Sequence, residues 1–296
     1  MNSKDKIIKV LAYDGKVSII CARTTNLVEE ARKIHDLTPT TTAVLGRVLT
    51  MAAIMGSELK SEKDNITIQI DGRGPAGKIV VVSNNESKVK GYMQNPLIEL
   101  PLNNIGKIDV GGAVGKDGYI NIIKDIGLKE PYIGITPIVT GEIAEDFTKY
   151  YADSEQKPTA IALGVLVNKN GVKSSGGYRL NLMPDGTDDI ITKLEENIKK
   201  AGSISNMLSE NLSLEDIAKK VTGDENLVIL EDEIEPEYKC DCSREKFENG
   251  LISLGKKELE DIIKDDDKIE TVCQFCNKKY VFDKKYIEKI IKEMGD

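Results

Sequence analysis

Four cysteines near one end of the chain constrain its fold more than any other feature. The 296-residue sequence has five cysteines, and four of them, Cys240, Cys242, Cys273 and Cys276, lie in the last 57 residues. They form two close pairs, Cys-x-Cys in "KCDCSREKF" and Cys-x-x-Cys in "ETVCQFCNKKY". Because the chain has a single histidine, a structural metal site formed by these residues has to use sulfur ligands alone.

The spacing of the two pairs predicts a zinc site. Zinc is tetrahedral and accepts four thiolates, and two closely spaced pairs in one small fold can supply them. Few apolar positions accompany the pairs: Phe247, Leu251, Leu254, Leu259, Ile262, Ile263, Tyr280, Phe282, Ile287 and Ile291. A module with so small a core generally needs an additional link. Metal binding at such sites contributes on the order of 10–16 kcal/mol, so the module should unfold without its metal.

Spacing alone leaves two interpretations of this site open. Four-cysteine zinc sites are usually structural. A redox switch is the alternative, because metal-bound thiolates stay ionised at neutral pH and the thiolate is the form that oxidants attack. Residues two apart have Cα atoms at most about 7 Å apart, near the span that a disulfide tolerates. Four cysteines still allow three disulfide connectivities.

The sequence predicts neither a secretory signal peptide nor a membrane-spanning segment. Its start, "MNSKDKIIKVLAYDG", lacks the unbroken apolar stretch of a signal peptide. The most apolar window, "TTAVLGRVLTMAAIMG", is interrupted by Arg47 and is too short to span a bilayer. We therefore expect a cytoplasmic protein without a membrane partner. Thiols stay reduced in that compartment, where clustered cysteines indicate metal binding or redox chemistry.

Charge and hydrophobic periodicity predict three regions. Residues 1–180 contain short β-branched runs such as "NITIQID", "KIVVVS", "KVKGYM", "KIDVGG" and "GYINIIKD", with helices after Thr24 or Thr25, after Pro39 and over 141–156. They predict an α+β core domain with antiparallel sheets. Residues 181–235 predict an acidic helical linker of amphipathic helices, marginal in water unless they pack against a partner surface. Residues 236–296 form the C-terminal cysteine module. The net charge of residues 181–239 is −9.

Two glycine-rich segments resemble nucleotide-binding motifs but lack their context. "DGRGPAGK" has Gly72, Gly74 and Gly77 at G-x-G-x-x-G spacing, yet a strand-like run follows where a helix is required, which predicts a hairpin turn. "GGAVGKD" (111–117) is one residue too short for a phosphate loop, and we interpret it as a turn. No nucleotide partner is expected.

The remaining reactive side chains do not form a catalytic set. His35 lies on a predicted helix without a second metal ligand near it, so a surface or half-buried side chain is expected. Cys21 lies in the apolar run "VSIICA" and is most simply a small core residue. No Ser-His-Asp or Cys-His system can be assembled, so the chain is not expected to be an enzyme.

The segments around the cysteines resemble the C-terminal zinc centre of the heat shock protein 33 family, redox-regulated bacterial chaperones. The similarity lies in Cys-x-Cys-Ser-Arg-Glu, a helix at "LISLGKKEL", and Cys-x-x-Cys followed by Tyr-x-Phe. "DGRGPAGKIVVVSNNESKVKGYMQNP", "GEIAEDFTKYYADSEQKPTAIALGVLV" and "GGYRLNLMP" resemble core-domain motifs of the same family. Asn181 stands where the family has Gln, a departure that touches no cysteine.

The resemblance implies a stress-response chaperone that binds unfolded proteins without ATP. In the reduced form, Cys240, Cys242, Cys273 and Cys276 would hold one Zn²⁺ and the chaperone would be inactive. Oxidation would form the redox-active disulfides Cys240–Cys242 and Cys273–Cys276, release zinc and unfold the linker and the C-terminal module. A homodimer would then bind unfolding client proteins and prevent their aggregation.

Two rival functions share parts of this pattern. A zinc-ribbon protein that binds nucleic acid would have the same metal site, but a net charge of −8 disfavours phosphate contacts. A thiol–disulfide oxidoreductase would place Cys273 and Cys276 at a helix N-terminus beside a thioredoxin-like βαβ unit, and the sequence predicts neither.

Overall fold

The computed structural model describes residues 4–230 and 233–294. The chain divides into two compact units, Met1–Lys239 and Cys240–Asp296. Helices and antiparallel strands come in blocks, which confirms the predicted α+β class. Within the described residues, no helix is both long enough and apolar enough to cross a bilayer.

The first unit contains two β-sheets. In spatial order the five-stranded sheet consists of β10 (Val228–Ile229), β1 (Lys6–Ala12), β2 (Val17–Arg23), β9 (Gly171–Leu182) and β8 (Thr159–Asn168), all antiparallel. The six-stranded sheet consists of β11 (Glu237–Tyr238), β5 (Lys88–Met93), β4 (Ile79–Asn84), β3 (Asn65–Asp71), β6 (Tyr119–Asp125) and β7 (Tyr132–Pro137). Only the pairing of β11 with β5 is parallel.

A largely buried helix packs between the two sheets. Helix α2 (Pro39–Gly56) begins at the proline predicted from the sequence, and its residues other than Pro39 and Arg47 are all buried. It packs against strands of both sheets, together with α1 (Thr25–His35) and α4 (Ala144–Asp153). A helix that is apolar on all sides belongs in a core. The larger core of the unit therefore lies around α2.

Three amphipathic helices cover the outer face of the five-stranded sheet. They are α5 (Asp188–Ala201), α6 (Ile204–Ser209) and α7 (Leu214–Thr222). Ser213 caps α7, since its Oγ accepts a hydrogen bond from the Asp216 N–H at 3.0 Å. Apolar side chains of the helices and of β1, β2 and β9 form one continuous core. The sheet is thus the partner surface that these marginal helices need.

One region differs from the sequence-based expectation. The segments "KIDVGG" and "GGAVGKD" were predicted to be a strand and a turn, but both predictions are wrong because residues Val110–Val114 form a short helix, α3. Asp109 caps it by accepting a hydrogen bond from the Gly112 N–H at 2.8 Å. Glu142 Oε1 accepts from the Gly111 N–H at 3.2 Å. These bonds satisfy backbone N–H groups in the first turn of α3 that have no partner within the helix. Such capping contacts cannot be recognised from the alternation of apolar residues in the sequence.

The hairpin predicted at "DGRGPAGK" is confirmed. β3 and β4 pair from Asn65↔Asn84 to Ile70↔Ile79, and the glycine-rich turn connects them. The Gly74 N–H donates to the Val114 carbonyl at 2.9 Å, and a Cβ on Gly74 would lie 2.4 Å from the Val114 carbonyl carbon. The glycines therefore allow close backbone packing against α3 rather than nucleotide binding.

The second unit is a β-hairpin surrounded by short helices. It contains α8 (Arg244–Ile252), α9 (Lys256–Asp265), β12 (Lys268–Val272), β13 (Lys279–Asp283) and α10 (Lys284–Glu293). The single helix expected at "LISLGKKEL" is wrong, because α8 ends at Ile252 and α9 begins at Lys256. Gly255 lies between them with a φ of 90°, a conformation that favours glycine and interrupts the helix.

Candidate metal centre

The structure brings the four C-terminal cysteines together. Cys240 and Cys242 precede α8, and Cys273 and Cys276 lie in the turn between β12 and β13. The Sγ atoms of Cys240 and Cys273 are 3.7 Å apart, and those of Cys242 and Cys276 are 3.4 Å apart. All four Sγ atoms lie within 4.8 Å of one another, and none of the four cysteines forms a disulfide. This cluster could hold a metal ion.

The sulfur spacing fits a tetrahedral ion. Four sulfurs bound at about 2.3 Å in tetrahedral geometry are about 3.8 Å apart. The two sulfur–sulfur distances of 3.4 and 3.7 Å and the upper limit of 4.8 Å for the whole set surround that value. An all-thiolate donor set of this size suits a borderline-soft divalent ion, and magnesium or calcium would require oxygen ligands instead.

A tight turn orients the second cysteine pair. The Cys273 N–H donates to the Lys278 carbonyl at 3.0 Å, and the Cys273 carbonyl accepts from the N–H groups of Cys276 at 3.3 Å and Asn277 at 2.8 Å. Asn277 has a φ of 57°, a left-handed conformation that asparagine tolerates better than most residues. The chain therefore folds back within four residues and both thiols face the same point.

The first pair is fixed by the helix that follows it. Ser243 caps α8 by accepting a hydrogen bond from the Lys246 N–H at 3.2 Å. The guanidinium of Arg244 lies over the rings of Phe282 and Tyr286, 4.2 and 5.0 Å from their centroids. It also donates to the Val281 carbonyl at 2.7 Å. Arg244 thus links the Cys-x-Cys segment to the strand that follows Cys-x-x-Cys, which explains a Ser-Arg sequence at this place.

The thiols differ in acidity. Burial raises the pKa of Cys240 and Cys276. Burial also acts on Cys242, but hydrogen bonds from the Tyr280 hydroxyl at 3.1 Å and from the neighbouring thiols outweigh it and lower the pKa of Cys242 to about 7. Metal binding requires thiolates, so it releases the protons that Cys240 and Cys276 retain at neutral pH.

The core beside the cysteines is small. Its buried apolar residues are Leu251, Leu259, Ile263, Tyr280, Phe282, Ile287, Ile290 and Ile291. Most were predicted, but Leu254 is 51% exposed, whereas Ile290 is buried and was not predicted. Phe247 stacks on Tyr280 with centroids 4.8 Å apart, which carries the core up to the Cys242 sulfur. A core of this size makes the unit dependent on an additional link.

The two other sequence candidates lie outside this cluster. Cys21 is fully buried in β2, as predicted, and burial raises the pKa of its thiol. His35 is half-buried on α1, also as predicted, and its Nε2 lies 3.0 Å from the Tyr238 hydroxyl. Sequence reasoning missed the supporting roles of Arg244 and Tyr280. The role of Tyr280 could have been recognised from the spacing Tyr280-x-Phe282, because residues two apart on a strand place both rings on one face of β13.

Comparisons with known proteins give one consistent result. The family model described as "Hsp33 protein" matches residues 5–283. A protein named 33 kDa chaperonin from Clostridium tetani is 48% identical over 294 residues, covering 99% of each chain. A 33 kDa chaperonin from Clostridium botulinum (strain Eklund 17B) is 48% identical over 290 residues, covering 98% of each chain. These relatives are named as chaperonins and not as enzymes.

A solved structure shares the fold of the whole chain. The crystal structure of a 33 kDa chaperonin, the heat shock protein 33 homolog of Thermotoga maritima, matches with a TM-score of 0.91 at 40% identity. The match covers 98% of this chain and 99% of that one. Both units are therefore included in the similarity.

Proposed function

Since the chain belongs to the Hsp33 family, we propose that it is a redox-regulated chaperone that binds unfolding proteins without ATP. Chaperone function of the Hsp33 type follows from family membership. The redox control rests on the sulfur cluster, whose four thiols lie within 4.8 Å of one another beside a small core. That juxtaposition is the observation that carries the proposal.

In the reduced state, Cys240, Cys242, Cys273 and Cys276 would hold one Zn²⁺. The bound ion would compensate the charge of four thiolates and would link the start of α8 to the turn of the hairpin. Such sites contribute on the order of 10–16 kcal/mol. The eight buried apolar residues of this unit cannot replace a contribution of that size. The reduced, zinc-bound protein is the inactive form.

Oxidation converts the four ligands into two disulfides. For each pair, two thiolates lose two electrons to one hydrogen peroxide molecule, which takes up two protons and leaves as two water molecules. The oxidised sulfurs would no longer be thiolates and could not serve as ligands for a metal ion. The pairing Cys240–Cys242 and Cys273–Cys276 follows the family resemblance. The sulfur distances of 3.4–4.8 Å permit this pairing and cross-pairing alike.

The acidic helices supply the response. Residues 181–235 act as the redox-sensitive linker, and α5, α6 and α7 cover an apolar sheet face that includes Ile8, Val10, Ile19, Tyr178 and Leu180. The unfolded C-terminal unit no longer restrains the end of this segment, to which it is joined through the chain. The helices then leave the sheet, and the apolar face binds exposed apolar segments of unfolding proteins. The active form is a homodimer in the cytoplasm, and it uses no nucleotide and no nucleic acid.

Zinc content, free thiols and chaperone activity measured in parallel test the proposal. Reduced protein should contain one zinc and, after denaturation, five titratable cysteine thiols per chain, and it should not suppress aggregation of a denatured client. Peroxide with mild heating should release the zinc, leave one thiol and produce suppression. A Cys240→Ser variant that responds to peroxide in the same way as wild type would exclude the switch.

A further inference from the structure

A strap that precedes the cysteine module covers one edge of each sheet. We define the strap as residues 228–239, of which 228–230 and 233–239 are described. Its β10 forms the outermost strand of the five-stranded sheet and pairs with β1, and Ile234 then forms a further bridge to β1. The strap then reaches the six-stranded sheet, where its β11 is the outermost strand and pairs with β5. The strap ends at Lys239, immediately before the first cysteine.

The strap binds β1 mainly through its backbone. The Leu230 N–H donates to the Lys9 carbonyl at 2.9 Å. Ile234 and Ile7 exchange both backbone bonds, at 2.8 and 3.3 Å. The side chains of Val228, Ile229 and Leu230 are 58%, 44% and 40% exposed, so their burial contributes little to the pairing.

The strap forms hydrogen bonds to β5 through its backbone and through one side chain. The N–H groups of Glu237 and Lys239 donate to the carbonyls of Ser87 and Val89 at 3.4 and 2.9 Å. The next residue of β5 whose backbone groups point away from β4 is Gly91. At this position the Tyr238 hydroxyl, and not a strand backbone, forms the hydrogen bonds. It donates to the Gly91 carbonyl at 2.8 Å and accepts from the Gly91 N–H at 3.3 Å.

The pairing is short and charged. β10 and β11 contain two residues each, and strands of that length are stable only with tertiary support. The strap carries five acidic residues and one lysine. Glu233 pairs with Lys6 at 2.6 Å, and Glu235 lies 3.9 Å from Lys4. A departing strap would therefore leave two unpaired strand edges, and would remove a carboxylate partner from Lys4 and Lys6 at the edge of β1.

We infer that the strap occupies a binding site for extended client segments, which pair with the edges of β1 and β5 once the strap leaves. An exposed edge presents free N–H and C=O groups that an added strand satisfies. The favoured partner is an unfolded segment that combines apolar with acidic residues, as in "VILEDEIEPEYK" itself. This inference rests on the proposed function and assigns a mode of binding to it.

Peptides with the strap sequence test the inference. A fluorescent peptide of residues 228–239 should bind peroxide-activated protein and compete with a denatured client, and reduced protein should not bind it. One variant carries N-methyl groups at Leu230, Ile234 and Lys239, whose N–H groups donate to the sheet edges. The matched control carries three N-methyl groups at Ile229, Glu235 and Tyr238. The two peptides have identical composition.

The edge-pairing inference predicts that the first methylated peptide binds at least ten-fold more weakly than its control. A peptide with lysine at every acidic position should also bind at least ten-fold more weakly than the parent. Equal affinities of the two methylated peptides would overturn edge pairing. Suppression of client aggregation without binding of the parent peptide would leave the proposed function intact and overturn this inference alone. Absence of suppression after oxidation would defeat the proposed function itself.

Discussion

Leu194 and Ile191 provide a matched test of the role of the linker helices. Both lie on α5 and have side chains of equal volume, but Leu194 is 5% exposed in the core against the sheet, whereas Ile191 is 37% exposed. Truncation of a buried leucine to alanine costs about 2–5 kcal/mol. A value of about 3 kcal/mol increases the population of opened helix more than 100-fold. Surface truncations usually change stability by less than about 0.5 kcal/mol.

The assay combines hydrogen exchange with chaperone activity in reduced, zinc-loaded protein. Leu194→Ala should accelerate exchange across residues 188–201 by about two orders of magnitude and should suppress client aggregation without oxidant. Ile191→Ala should behave as wild type in both measurements. Faster exchange in Leu194→Ala without a gain in suppression would show that release of these helices is not the activating step. Unchanged exchange would refute the packing argument itself.

Metal binding and burial lead to three further predictions. A chelator that removes zinc should abolish exchange protection across residues 240–294 and leave that of residues 4–182 intact. Cys273→Ser should lose zinc and its response to peroxide in a metal and aggregation assay, whereas Cys21→Ala should retain both because Cys21 is fully buried. Burial raises the pKa of Asp5 to about 6. Between about pH 4 and pH 6 the folded protein therefore retains a proton that the unfolded chain has lost. Because the folded state binds more protons in this range, its stability falls as the pH rises. In thermal melts recorded between pH 4 and 7, Asp5→Asn should abolish this decrease in stability with rising pH.

The elements predicted correctly from the sequence are mainly those that depend on residues close to one another in the chain. Pro39 starts α2 as expected, and helical spacing of apolar residues located α5 and α7. The cysteine spacing placed four thiols in one cluster, because each pair needs only a tight turn to face a common point. The helix starts, the apolar periodicity and the turn within each cysteine pair depend on residues within a few positions of one another, whereas the two pairs, separated by 30 residues in the sequence, meet only in the folded unit.

Elements that depend on distant partners were not predicted. β1 lies in "KIIKVLA", where lysines obscure the alternation between two buried faces. The two-residue strands of the strap exist only because the edges of β1 and β5 are available to them. At "KIDVGG", the capping of Gly111 by Glu142, 31 residues away, helps select a helix over a strand. Arg244 likewise acquires its role only when β13 lies beside it.

Hydrogen exchange of residues 240–294 during peroxide treatment, with zinc release recorded in the same sample, tests the central claim most directly. If the metal supplies the stability that the small core lacks, protection should disappear at the rate at which zinc appears in solution. Full protection persisting in protein whose four cysteines are oxidised and whose zinc is gone would contradict the account.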